Sequence, residues 1–202
     1  MSRKLIPTAL ALVAALGAAQ THQHTAPQQT PAAPMAPMTP PATGAHAHGP
    51  DLSTLSGRAF DRAYLSMMIA HHEAAVGMSD AALKRGGDPR VKGWAQQVRD
   101  LQVSELREMN AMLRDYDLGG LDRAAHDAMA ADMKPMVDAV TAGPNPDEAW
   151  VRGMLEHHAL ALRMATEALL RSDTERVRRA ARAVAKVQAE QMYEYRTWAP
   201  DR

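Results

Sequence analysis

From residue 51 onward the apolar residues recur three and four positions apart, and no stretch alternates with a period of two. That spacing is the mark of amphipathic helices rather than strands. Proline and glycine fall at the breaks. The pattern predicts a first helix over about 57–85, stopped by Gly86-Gly87. A second, over about 89–116, opens with Asp88 as N-cap and Pro89 in its first turn, and is followed by Gly119-Gly120. A shorter helical piece, about 121–141, contains Pro135. A helix over about 146–171 follows Gly143-Pro144-Asn145-Pro146, and a last one covers about 174–198.

The pattern also repeats. Shifting the chain by 86 residues lays the first helix on the fourth and the second on the last without a gap. Asp61 falls on Asp147, Met68 on Met154, His71-His72 on His157-His158, Met78 on Met164, and Gln102 on Gln188. Two helical hairpins, 57–116 and 146–199, joined by a connection over 117–145, predict an all-α, ferritin-like four-helix bundle with one long crossover. About 150 ordered residues fill one core, so the hairpins are expected to pack on each other around a pseudo-two-fold axis.

Residues 1–50 are a different material. Arg3 and Lys4 precede an uncharged run from Leu5 to Ala19 that ends in Gly17-Ala18-Ala19. This predicts a secretory signal peptide over 1–19 and not a spanning anchor, since the run is too short. Residues 20–50 are rich in proline, alanine and threonine and read as a disordered tether, which carries His22-Gln23-His24, Met35-Ala36-Pro37-Met38 and His46-Ala47-His48. The folded part is then 51–202, in an exported protein of the periplasm or cell surface. No later segment is apolar enough to span a bilayer.

Without residues 1–19 the formal charge is −2, which points neither to nucleic acid nor to an anionic membrane. Arg171, Arg176, Arg178, Arg179 and Arg182 read as the solvated face of a helix. There is no cysteine, so the core alone must hold the fold, and a soft metal ligand can only be a methionine thioether. The sequence has 14 methionines and a single phenylalanine, Phe60. Methionine fills irregular cores well, so the number by itself does not imply metal.

At about 100° per residue, Tyr64, Met68, His71, His72, Ala75, Met78 and Ala82 share one face, as do Trp150, Met154, His157, His158, Ala161, Met164 and Ala168. Both histidine pairs are therefore expected in the core. On the second helix Gln102 and Glu105 interrupt an apolar stripe of Val91, Trp94, Val98, Leu101, Met109 and Met112; Gln188 and Gln191 hold the same places on the last. Across the Gly86-Gly87 turn, Gln102 is expected opposite His71 and Glu105 opposite Met68. These polar groups would bond the imidazoles.

Adjacent histidines diverge by about 100°, so one ion hardly takes both from one helix, whereas Met68 converges with His71 or His72. Met78 lies about 15 Å along the axis from Met68. If the histidine helices cross antiparallel, Met164 approaches Met68 and Met78 approaches Met154. Imidazole with thioether and no thiolate suits Cu(I). The candidate metal ligands are thus His71, His72, Met68, Met78, His157, His158, Met154 and Met164, supported by Gln102, Glu105, Gln188 and Gln191. A di-iron oxidase would need Glu-x-x-His on two helices, which neither histidine helix has. No nucleophile triad, phosphate loop or nucleotide fingerprint is present.

The run Phe60-Asp61-Arg62-Ala63-Tyr64-Leu65-Ser66-Met67-Met68-Ile69-Ala70-His71-His72 with Ala75, Met78, Gln102 and Glu105, and Met154-Leu155-Glu156-His157-His158 with Met164, resembles a bacterial family. That family is known as domain of unknown function 305, and the resemblance covers about 51–199. It implies a ferritin-like four-helix fold and, for some members, periplasmic copper handling through Met and His. Gln191 in place of Glu105, and Pro146 in place of Phe60, depart from the pattern in the second hairpin. The function expected is Cu(I) sequestration, or transfer to another exported copper protein, without catalysis. The alternatives are a structural or interaction module with register-fixing histidines and, more remotely, a ferritin-like redox enzyme.

Overall fold

The computed structural model describes residues 51–198. The signal peptide and tether expected over 1–50 lie outside the described residues. Five helices occur: α1 Gly57–Arg85, α2 Pro89–Asp115, α3 Arg123–Ala142, α4 Pro146–Arg171 and α5 Glu175–Tyr195. No strand occurs among the described residues. The last helix ends three residues before the expected 198, because Arg196-Thr197 turn and carry Trp198 back onto the bundle.

The ends follow local chemistry. The Asp88 carboxylate accepts from the N–H of Arg90 (2.7 Å) and Val91 (3.2 Å), and Pro89 needs no partner in the first turn. Asp122 caps α3 through Ala125 N–H at 3.2 Å. Between α2 and α3 the chain turns through Gly119 and Gly120, at φ +79° and +74°, where a side chain would be strained.

The hairpins are locked to each other at both poles. Asp147, at the start of α4, accepts from the N–H groups of Gly87 (2.8 Å) and Asp88 (3.2 Å) in the α1–α2 turn. Position 86 must be glycine there, since a Cβ would collide with Asp147 Oδ1 and the Ala82 carbonyl. Asp61, 86 residues earlier, accepts from Thr174 Oγ1 in the α4–α5 turn.

The core forms two apolar clusters. One joins Phe60, Tyr64, Leu65 and Met68 of α1 to Leu160, Met164, Ala165 and Ala168 of α4. The other joins Ala75, Met78 and Ala82 of α1 to Trp150, Val151 and Met154 of α4. The first half of α1 thus meets the second half of α4, and the two helices are antiparallel. His71, His72, His157 and His158 lie between the clusters along both helices.

The helical piece expected over 121–141, with Pro135 inside it, is present as α3. It is a 20-residue helix that buries Ala125, Met129, Met133 and Val140 and packs against α1 and α4. Pro135 does not break it. That residue sits on the exposed side, where water can take the hydrogen bond that a proline removes.

Candidate metal centre

Mid-helix placement and the absence of any nearby break put both histidine pairs at the centre of the bundle, and all four side chains are fully buried. His71 Nε2 lies 3.0 Å from the carbonyl oxygen of His157, and His157 Nε2 lies 2.8 Å from that of His71. A carbonyl only accepts, so both Nε2 atoms carry the proton and both Nδ1 atoms are lone pairs. The two rings stack with centroids 3.5 Å apart and an interplanar angle of 27°. These reciprocal bonds correct the expectation that Gln102 serves His71. Gln102 is buried, but its Oε1 has no hydrogen bond, and neither side-chain polar atom of Gln188 has one.

The second histidine of each pair faces a different neighbour. His72 Nε2 donates to Glu105 Oε2 at 2.9 Å. Glu105, expected level with Met68, reaches one turn further and holds the Nε2 proton of His72, while Nδ1 has no partner. In the second hairpin Gln191 stands against His158 and raises its basicity. No hydrogen bond of good geometry closes between them, because His158 Nε2 and Gln191 Oε1 both lack one. His158 Nδ1 lies 3.3 Å from His157 Nδ1 and donates to that lone pair.

Burial keeps His71, His157 and His158 neutral. His71 and His157 are held well below the usual histidine range by desolvation first, and then by the neighbouring histidines. His158 is pushed down to about 3 by desolvation, with His72 adding and Gln191 opposing. A neutral imidazole is the metal-binding form.

The centre is short of partners. His71 Nδ1, His72 Nδ1, His158 Nε2, Gln102 Oε1, Gln191 Oε1 and both polar atoms of Gln188 are buried without a hydrogen bond. A buried polar group left without a partner costs about 1–3 kcal/mol. A whole domain is stable by only about 5–15 kcal/mol, so a group that accepts nitrogen lone pairs fits this place. Among the described residues no three His, Asp or Glu side chains converge. Nitrogen and oxygen alone therefore do not make a three-ligand site, and thioethers would have to complete one.

The methionines are distributed as the antiparallel crossing requires. Met68 and Met164 share one cluster, Met78 and Met154 the other. A Cβ on Gly153 would lie 3.3 Å from Met78 Sδ, so that thioether rests over the bare backbone of α4 one residue before Met154. Two residues read from the sequence as part of an apolar stripe, Met109 and Met112, line a small cavity with Met68 and Glu105. The available signal was a break in the repeat, since 86 residues on their places are taken by Tyr195 and Trp198.

The family model for DUF305, a domain of unknown function, matches residues 9–113 and 121–202. The chain belongs to the DUF305 family. Its fold is shared with CopM in the Cu(I)-bound form at 22% identity and a TM-score of 0.59, over 68% of this chain and 94% of that one. It is likewise similar to a DUF305 fragment from Deinococcus radiodurans at 21% identity and a TM-score of 0.59, over 67% and 91%. An uncharacterised protein of Acanthamoeba polyphaga mimivirus, L153, is 40% identical over 58 residues, 29% of this chain and 38% of that protein's length. Among the described residues of this family member, no helix is long and apolar enough to cross a membrane.

Proposed function

We propose that this protein binds Cu(I) in the centre of its bundle and sequesters it, or passes it to another exported copper protein, outside the cytoplasm. The observation that carries the reading is the buried histidine layer, with ring nitrogens of His71, His72 and His158 that have no hydrogen-bond partner. His71 or His72 would hold the ion with Met68, and His158 with Met154, since both ring nitrogens of His157 are already bonded. Met164 and Met78 come from the opposite helix. A soft, closed-shell ion is the match for imidazole and thioether together, whereas Mg, Ca and Mn prefer oxygen and zinc rarely takes methionine. CopM, whose structures include Cu(I)-bound, Cu(II)-bound and Ag-bound forms, supports the choice. No catalytic role is proposed, and export rests on the residues of 1–19.

A second reading has its own observation. The reciprocal His71 and His157 bonds to backbone carbonyls would fix the register of α1 on α4 in a purely structural module. An anaerobic titration against a competing chelator separates the two. The copper reading expects tight Cu(I) binding, weak Zn(II) binding, and loss of the core sites when all four histidines become alanine. Equal Cu(I) affinity in that variant would favour the structural module.

A further inference from the structure

Tyr64 and Met68 of α1, Glu105, Met109 and Met112 of α2, and Ala183 of α5 line a cavity of about 30 Å³ on one flank of the bundle. That is room for about one water-sized particle. Three of these six residues are methionines from two helices, and the fourth donor, Glu105, is the partner of His72. Glu108 and Ala183 are exposed and also line the cavity, so it reaches the surface between α2 and α5. Glu105 is paired with His72 and only partly buried, so its carboxylate stands at the cavity wall without the cost of an unpaired buried charge and supplies negative charge there.

The other hairpin shows what the same positions become without this chemistry. An offset of 86 carries Tyr64 to Trp150, Glu105 to Gln191, Met109 to Tyr195, Met112 to Trp198, and Ala180, which also lines the cavity, corresponds to Trp94. There the rings pack on one another, Trp94 on Tyr195 at 5.0 Å and Trp150 on Tyr195 at 5.2 Å between centroids. Trp94 Nε1 donates to Glu194, the counterpart of Glu108, at 2.7 Å. One flank is an aromatic plug in which Gln191 replaces Glu105 and the Glu194 carboxylate is taken up by Trp94. The equivalent flank is a thioether-lined cavity with a carboxylate.

We infer that Met68, Met109, Met112 and Glu105 form a further binding site for a soft monovalent ion, present once in the chain. It is the port through which such an ion reaches His72. The ion would leave solvent between α2 and α5, take thioether sulfur as ligand, and have its charge balanced by the carboxylate that also orients the His72 ring. The inference rests on the metal-binding reading above, and extends it to residues outside the histidine helices.

The test uses the full chain with methyl-labelled methionine, titrated with Ag(I) and followed by NMR beside calorimetry. The methyls of Met68, Met109 and Met112 should shift together, while those of Met129 and Met133, buried elsewhere in the same cluster, stay in place. Met109→Leu with Met112→Leu, which conserves volume, should remove one bound Ag(I) per chain, with helical content and the histidine sites unchanged. Unmoved Met109 and Met112 methyls, or an unchanged number of bound ions in the double variant, would overturn the port while leaving the core reading intact. No Ag(I) binding by the unmodified chain would end both.

Discussion

A single carboxylate separates the two histidine pairs. Glu105 accepts from His72 Nε2, whereas Gln191 closes no such bond with His158. A carboxylate behind an imidazole fixes the tautomer, makes the other nitrogen a better donor and supplies charge against a cation, effects that tune metal affinity about 10–100-fold. Glu105→Gln should therefore weaken the tighter of two Cu(I) sites by about that factor and bring the pair closer together, as a two-site titration would read. Unchanged affinities would mean that the His72 contact does not act on the metal. The buried histidines also set a pH dependence. Their folded-state pKa values lie below those of the unfolded chain, so above about pH 6.5 both states are neutral and full stability is present. As pH falls below that value, the unfolded chain takes up three protons that His71, His157 and His158 refuse when folded. Stability should then fall with a slope approaching about 4 kcal/mol per pH unit. His126 has the opposite sign: burial lowers its pKa, but Asp127 and Glu73 together raise it. Its contribution is present below the unfolded pKa and lost as pH rises, and one surface group does not reverse three buried ones. Urea midpoints of the metal-free protein at pH 7.5, 6.5 and 5.5 should decrease in that order; a flat or rising series would contradict the account.

At the scale of elements, α3 is a working part of the core. It presents Met129 and Met133, both fully buried, to the cluster around Phe60 and Met68. Met133→Ala should cost about 2–5 kcal/mol, the range for a large side chain removed from a packed core. A loose connection would lose almost nothing, and chemical denaturation distinguishes the two. The helices themselves were legible in the sequence, because spacing and Gly-Pro breaks are local signals. So was the burial of His71, His72, His157 and His158, which follows from helical periodicity. What could not be read was how neighbouring helices slide against each other. The carbonyl partners of His71 and His157 depend on the α1–α4 register, and Glu105 lands on His72 through side-chain reach rather than level. Met109 and Met112 read only as members of an apolar stripe, because periodicity cannot tell a packed thioether from one that lines a cavity.

The whole molecule is two similar hairpins clasped head to tail, with Asp61 and Asp147 each holding the other hairpin's turn. Between the two apolar clusters lies a polar layer that is well built for a lone-pair acceptor and expensive without one. The symmetry is kept in the histidines and broken on the flanks, methionine and glutamate on one side and aromatic rings on the other. A soft ion bound in such a molecule should see both kinds of donor at once. X-ray absorption at the copper edge, on anaerobic protein carrying one equivalent of Cu(I), reads this directly. The account predicts imidazole nitrogen and thioether sulfur in the same first shell, with the nitrogen contribution lost when His71, His72, His157 and His158 are replaced. A shell of sulfur alone, or of nitrogen and oxygen alone, in the unmodified protein would contradict it.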